Sequence, residues 1–127
     1  MRPDWDTYFI NIAKEVAQRA SCPRASVGAV IVKDHRIIST GYNGAAAGEL
    51  HCIDEGCIIE NNHCQRAIHA EVNAVCEAAR FGVAVDGATL YYCDSLDRPE
   101  SCHNCIQVMK AAGIVRVISK YFEVMEL

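Results

Sequence analysis

The sequence has no excess of basic residues: twelve Lys and Arg stand against sixteen Asp and Glu, a formal net charge of −4. Such a chain has no global attraction for nucleic acid or an anionic membrane, so any phosphate it holds must be met by a local cluster. Aromatic residues are few, at 7%. With no basic stripe for a phosphate backbone to follow, single-stranded nucleic acid is not expected as a partner. No apolar run is long enough to cross a membrane, since stretches such as Val27–Val32 are strand-sized. The first residues, Met1-Arg2-Pro3-Asp4-Trp5-Asp6, carry no apolar core of a signal peptide, so the cytoplasm is the expected location and no membrane partner is expected. No internal repeat, low-complexity tract or linker divides the chain, and 127 residues suit one domain spanning 1–127.

Cysteine is what the chain does have, eight residues in all. In a reducing compartment such a chain is more often metal-binding or catalytic than disulfide-bonded. Residues Asp4 to Ala20 carry Tyr8, Ile12, Val16 and Ala20 at helical spacing, with Asp4 or Asp6 as cap and Ser21-Cys22-Pro23 as the stop. Val27–Val32 and Ile37–Tyr42 read as strands joined by the polar turn Lys33-Asp34-His35-Arg36, an antiparallel hairpin. Gly41 to Gly48 reads as a loop, and His51 to Gln65 is aperiodic and rich in His and Cys. A loop that long inside a compact domain is usually functional or braced. Helical character returns over Ile68–Phe81, a strand follows at Ala88–Cys93, then a helix Cys102–Ala112 stopped by Gly113, and a strand Ile114–Ser119. The final residues read as a small helix or a strand edge. Two late strands each follow a helix, which predicts a mixed α/β sheet with helices on its faces. Cys76 and Cys93 fall on predicted core positions.

One constellation carries chemistry. Cys102-His103-Asn104-Cys105 is a C-x-x-C pair at a predicted helix start, where the helix N-terminus favours the thiolates a metal needs. His69 adds a neutral nitrogen. Three protein ligands leave tetrahedral Zn²⁺ one open position for water, the arrangement of catalytic zinc, and the metal then lowers the pKa of that water. Glu71 lies two residues after His69. Positions two apart do not share a helix face, so both reach one spot only from the first turn, with the spot ahead of the helix end. H-x-E followed by C-x-x-C resembles the signature of zinc-dependent nucleobase deaminases, in which a metal-activated water attacks the aminated ring carbon and the Glu carries protons.

The resemblance extends along most of the chain. Trp5-Asp6-x-Tyr8-Phe9, Cys22-Pro23-Arg24, Val27-Gly28-Ala29-Val30-Ile31-Val32, Gly41-Tyr42-Asn43-Gly44-Ala45, His51-Cys52, His63-Cys64, Ile68-His69-Ala70-Glu71-x-Asn73-Ala74, Gly87-Ala88-Thr89-Leu90-Tyr91 and Ala112-Gly113-Ile114-x-Arg116-Val117 resemble the deoxycytidylate (dCMP) deaminase family, including the similar late-competence proteins of bacteria. The resemblance implies a three-layer α/β/α cytidine deaminase-like fold with a mixed four- to five-stranded sheet, a homo-oligomer, and hydrolysis of dCMP to dUMP and ammonia. It implies Glu71 as the catalytic residue and His69, Cys102 and Cys105 as ligands of the catalytic zinc. Asn43 would hydrogen-bond the sugar hydroxyl. The loop of Gly41, Tyr42 and Gly44 would also help form an allosteric dCTP/dTTP site with Mg²⁺ in regulated members, its glycines admitting a close ligand.

Two departures stand out. Asp94–Ser101, between strand and zinc cysteines, is longer than in the family, with Pro99 displaced from Cys102. The same zinc chemistry on dCTP, a modified cytosine nucleotide, a free nucleoside or another aminated base is therefore an alternative, as is a zinc-braced nucleotide sensor without turnover. The chain also ends soon after Ile114–Ser119, so the last strand and helix of longer members are expected to be absent or reduced.

A second constellation, Cys52-x4-Cys57-x6-Cys64 with Cys22, occupies the aperiodic loop region. Some similar dCMP deaminases carry a second, structural zinc here, which implies Cys22, Cys52, Cys57 and Cys64 as a closed ligand set, with His63 or His51 able to replace one cysteine. Buried apolar packing is the other reading. Arg24 and Arg66 flank these stretches and are the candidate phosphate contacts.

Overall fold

The computed structural model describes residues 2–46, 48–49, 51, 54, 56–57, 59–60, 63–64, 68–97, 102–120 and 124–127, with the backbone alone at 59–60 and 63–64. Helix α1 spans Trp5–Ala17, and the Asp4 carboxylate caps it by accepting from Thr7 N at 2.8 Å. The helix stops at Ala17, short of the expected Ala20, because the next turn tightens: Gln18, Arg19 and Ala20 each donate three residues back. Ser21 N then leaves the helix pattern and donates to Asn43 O.

Strands β1 (Val27–Lys33) and β2 (Arg36–Tyr42) form the predicted hairpin. Asp34 and His35 both take positive φ, 53° and 59°, the two-residue turn whose twist suits paired strands. Two short strands, β3 (Ile59–Glu60) and β4 (His63–Cys64), pair antiparallel within the stretch read from sequence as aperiodic. Helix α2 is Ala70–Arg80, strand β5 is Thr89–Asp94, helix α3 is His103–Ala112, and strands β6 and β7 are Arg116–Ser119 and Val124–Glu126. Gly113 closes α3 at φ 93°, a left-handed position that costs glycine nothing.

The main sheet runs β2-β1-β5-β6-β7. Only β5 and β6 are parallel, and α3 supplies the crossover between them. The mixed five-stranded sheet matches the expectation. The last residues form the edge strand β7, antiparallel to β6.

Strand alternation sorts the interior into two cores. Val27, Ala29, Ile31, Leu90, Tyr92 and Val117 face α2 and α3, packing on Ala70, Ala74, Ala78, Cys105 and Met109. Val30, Val32, Tyr91, Cys93 and Ile118 face α1, packing on Phe9, Ile10 and Ala13. Among the described residues the result is three layers, with α1 on one face and α2 and α3 on the other. Tyr91 OH donates to Asp6 Oδ1 at 2.6 Å and ties α1 to β5; burial and then this acceptor push the phenol's pKa up. Cys93 is buried as expected. Cys76 is not: it lies on the exposed side of α2, where the alanine-rich sequence gave no contrast between the two faces.

Two glycines set the helix-to-sheet distance. A Cβ on Gly28 would stand 2.1 Å from Ala13 O in α1, and one on Gly41 would stand 2.4 Å from Ala74 N in α2. Backbone has no way to yield locally, so each helix would have to lift from the sheet. Beside Gly41, Ser39 Oγ donates to Ala74 O at 2.6 Å and fixes α2 at that close approach. Gly28→Ala and Gly41→Ala are each expected to lower unfolding free energy by about 1–3 kcal/mol, the usual cost of overpacking. Urea denaturation checks this; an unchanged midpoint in both variants would contradict the packing.

Candidate metal centre

The parallel strand β5 points its C-terminal end towards the start of α3, and in open α/β sheets the crevice beyond such strand ends is where ligands bind. Here the starts of α2 and α3 meet. His69 is the N-cap residue of α2, in extended backbone (φ −64°, ψ 149°), and its side chain makes no capping hydrogen bond. The ring turns to α3 instead: His69 Nδ1 lies 3.1 Å from Cys105 Sγ and 3.2 Å from Cys102 Sγ. The two sulfurs are 3.0 Å apart. Cys102 is the N-cap residue of α3, and its sulfur accepts from Cys105 N at 3.3 Å.

This triangle of one nitrogen and two sulfurs fits a zinc ion. Zinc ligands at about 2.0 Å for nitrogen and about 2.3 Å for sulfur stand roughly 3.5–3.8 Å apart around a tetrahedron, so opening the triangle by about 0.4–0.8 Å seats the metal. Among the described residues, this is the one group of three or more His, Cys, Asp or Glu side chains close enough to share a metal. Two helix N-termini aim their positive ends at it, which stabilises thiolates. Cys105 is buried, at 1% exposure, and burial followed by the charge of Glu71 pushes its thiol pKa up. A divalent cation relieves that conflict by compensating both negative groups.

Glu71 occupies the second helical position of α2, 5% exposed and beside Cys105. The sequence problem of two residues on different helix faces is solved at the helix start: His69 stands before the first helical residue and reaches the centre from outside the helix. Asn73 holds that start in place. Its Nδ2 reaches Tyr42 O at 2.8 Å and both Gly44 O and Ile68 O at 3.3 Å. Gly44 and Ile68 also exchange both backbone hydrogen bonds, Gly44 N to Ile68 O at 3.1 Å and Ile68 N to Gly44 O at 2.8 Å. Asn73 was visible only as a motif residue. Its role follows from a buried loop carbonyl cluster that sequence does not reveal.

Other expected site residues take different places. The space left by the missing side chain of Gly41 is taken by the backbone of α2. Gly44 faces Ser21 and His51, so its missing side chain also makes room for protein. Asn43 is buried and its amide serves the fold, with Oδ1 accepting from Val27 N and Nδ2 donating to Ala25 O, both at 2.8 Å. One Nδ2 hydrogen and one oxygen lone pair remain for anything further. Tyr42 is half-buried and Arg24 is exposed in the loop after α1. Cys22 and Cys57 are half-buried. Cys52 and Arg66, and the side chains of His63 and Cys64, lie outside the described residues, as do residues 98–101 of the long Asp94–Ser101 segment.

Residues 3–120 match the model of the cytidine and deoxycytidylate deaminase zinc-binding region. The chain is 45% identical over 116 residues to ComE operon protein 2 of Bacillus subtilis (strain 168), covering 91% of this chain and 59% of that protein. It is 41% identical over 128 residues to the deoxycytidylate deaminase of Mycobacterium phage D29, covering 92% of this chain and 94% of the other. Among solved structures, the dCMP deaminase of cyanophage S-TIM5 in complex with dCMP and dUMP superposes with a TM-score of 0.76 at 27% identity, covering 94% of this chain and 82% of that one.

Replacing Cys105 with Ser removes a buried soft ligand. Metal analysis of the purified protein is expected to lose one zinc equivalent relative to the unsubstituted chain, while Cys76→Ser, on the outer face of α2, leaves the content unchanged. Equal zinc in the Cys105 variant would contradict the ligand assignment.

Proposed function

We propose that this chain, which belongs to the cytidine and deoxycytidylate deaminase family, hydrolyses the exocyclic amine of a cytosine deoxynucleotide, converting dCMP and water to dUMP and ammonia. The observation that carries this reading is the buried Glu71 carboxylate beside the His69, Cys102 and Cys105 triangle. A purely structural zinc has no use for an acid held there. Relatives support the substrate: a phage protein of nearly the same length is named deoxycytidylate deaminase, and the similar cyanophage structure contains dCMP and dUMP.

Zinc bound by the three ligands would supply a water of lowered pKa at its open position. Glu71 then handles the protons. Its carboxylate takes one from the attacking water and delivers it to N3 of the ring as C4 becomes tetrahedral. It next carries the second proton from the former water to the amine, so that the C4–N bond breaks with ammonia leaving and a C4 carbonyl remaining. One group performs both transfers because its carboxylate is fixed by burial beside the reacting centre.

The second zinc is proposed on Cys22, Cys52, Cys57 and Cys64, with His63 or His51 as replacements, where it would brace the loop. Homo-oligomeric assembly and dCTP/dTTP control with Mg²⁺ at the Gly41–Gly44 loop are proposals of the same kind. Among the described residues, no helix is long and apolar enough to cross a membrane. Deamination of dCTP or a free nucleoside instead of dCMP is the second reading, favoured by the length of Asp94–Ser101.

Glu71→Ala is expected to lower the deamination rate by roughly 10²–10⁴-fold, the usual contribution of a general acid–base group, while zinc content stays at the unsubstituted level. The ultraviolet change on turning dCMP to dUMP reads the rate, with dCTP and deoxycytidine as parallel substrates. A zinc-loaded variant with undiminished activity would remove Glu71 from the mechanism, and zinc-loaded unsubstituted protein inert towards all three would remove the deaminase reading.

A further inference from the structure

A serine and a histidine far apart in sequence meet beside Gly44. Ser21 Oγ lies 2.6 Å from His51 Nδ1, and Ser21 is 5% exposed. Their point of contact is Gly44. A Cβ on Gly44 would stand 2.7 Å from Ser21 Oγ and 3.7 Å from His51 Nδ1. The φ angle of Gly44 lies outside the left-handed region, so the position needs space and not conformational freedom. The space is filled by the hydrogen-bonded pair.

Gly44 is in turn bonded in both directions to Ile68, the residue immediately before His69. Asn73 gathers the Tyr42, Gly44 and Ile68 carbonyls from the other side. Ser21 N donates to Asn43 O and Asn43 N to Val27 O, so backbone bonds hold the residue before Gly44 as well as Gly44 itself. The ring of His69 is not fixed by a capping bond of its own, and its direction therefore depends on the backbone that delivers it.

We infer that Ser21 and His51 form a positioning pair for His69: by filling the space beside Gly44, they hold the Gly44–Ile68 bridge against α2 and so aim the His69 nitrogen at the sulfurs of Cys102 and Cys105. The inference rests on the His69, Cys102 and Cys105 metal site proposed above. The role assigned to the pair is positional, with no part in proton transfer. It also accounts for a glycine at position 44, which the metal site alone leaves without a role.

The test uses zinc-loaded full chain and reads two quantities: extraction of the catalytic zinc by a competing chelator, and kcat with KM for dCMP. The catalytic component of extraction is the one absent from a Cys102→Ser/Cys105→Ser protein. Ser21→Ala, His51→Ala and Gly44→Ala are each expected to weaken retention of that zinc roughly tenfold, the lower end of the effect of groups that orient metal ligands. kcat is expected to fall with KM little changed. His51→Asn, whose side-chain amide can occupy the place of Nδ1, is expected to restore most of both. Ser21→Ala combined with Gly44→Ala is expected to be no worse than Gly44→Ala alone, because the added methyl no longer meets a hydroxyl.

Thermal stability lowered in the single variants with zinc retention and kcat unchanged would overturn the inference, leaving the pair a loop tie only. Equal loss in His51→Asn and His51→Ala would also overturn it. If no protein deaminates dCMP, the chelator readings still decide the positioning role, so failure of the deaminase reading is separable from failure of this one.

Discussion

The structure depends on two helix N-termini brought to one point. Helix α2 presents His69 and Glu71 and helix α3 presents Cys102 and Cys105, and each N-terminus is positive where thiolates and a carboxylate gather. Without a cation, burial and the mutual charge of Glu71 and the sulfurs oppose ionisation of Cys105. With a divalent cation, the same closeness becomes an asset. The sheet holds both starts at the C-terminal end of β5.

Holding them demands close packing. Gly28 lets α1 settle on one face of the sheet, and Gly41 lets α2 settle on the other at backbone contact. Ser39 and Asn73 then tie α2 to β2 and to the loop that follows it. Asn43 closes the beginning of β1 through its amide, and the same residue's carbonyl takes up the end of α1 through Ser21 N. The Gly41–Gly44 stretch is thus the junction of α1, β1, β2 and α2. Its residues serve the protein interior.

Much of this was legible in the sequence. Apolar periodicity located α1, the β1–β2 hairpin, β5, α3 and β6, and the pairing of H-x-E with C-x-x-C named the three side chains that the fold brings together. The reason is that ligand chemistry restricts residue type sharply, and helix starts carry local signals. Other features were not legible. A glycine announces that something comes near without saying what, so Gly41 read as room for a ligand when α2 occupies the room. The outward face of Cys76 was hidden by alanines on both sides of α2. The contact of Ser21 with His51 joins residues thirty positions apart and has no sequence pattern at all. The three-residue strand β7 owes its existence to pairing with β6 more than to its own composition.

The central claim is that a water-derived oxygen replaces the amine of a cytosine nucleotide at this centre. Zinc-loaded protein incubated with dCMP in ¹⁸O-labelled water, followed by mass analysis of the nucleotide, tests it directly. Deamination at this centre gives dUMP carrying one labelled oxygen in the base, with ammonia released in equal amount; dCMP recovered unchanged, or uracil product without label, would contradict it.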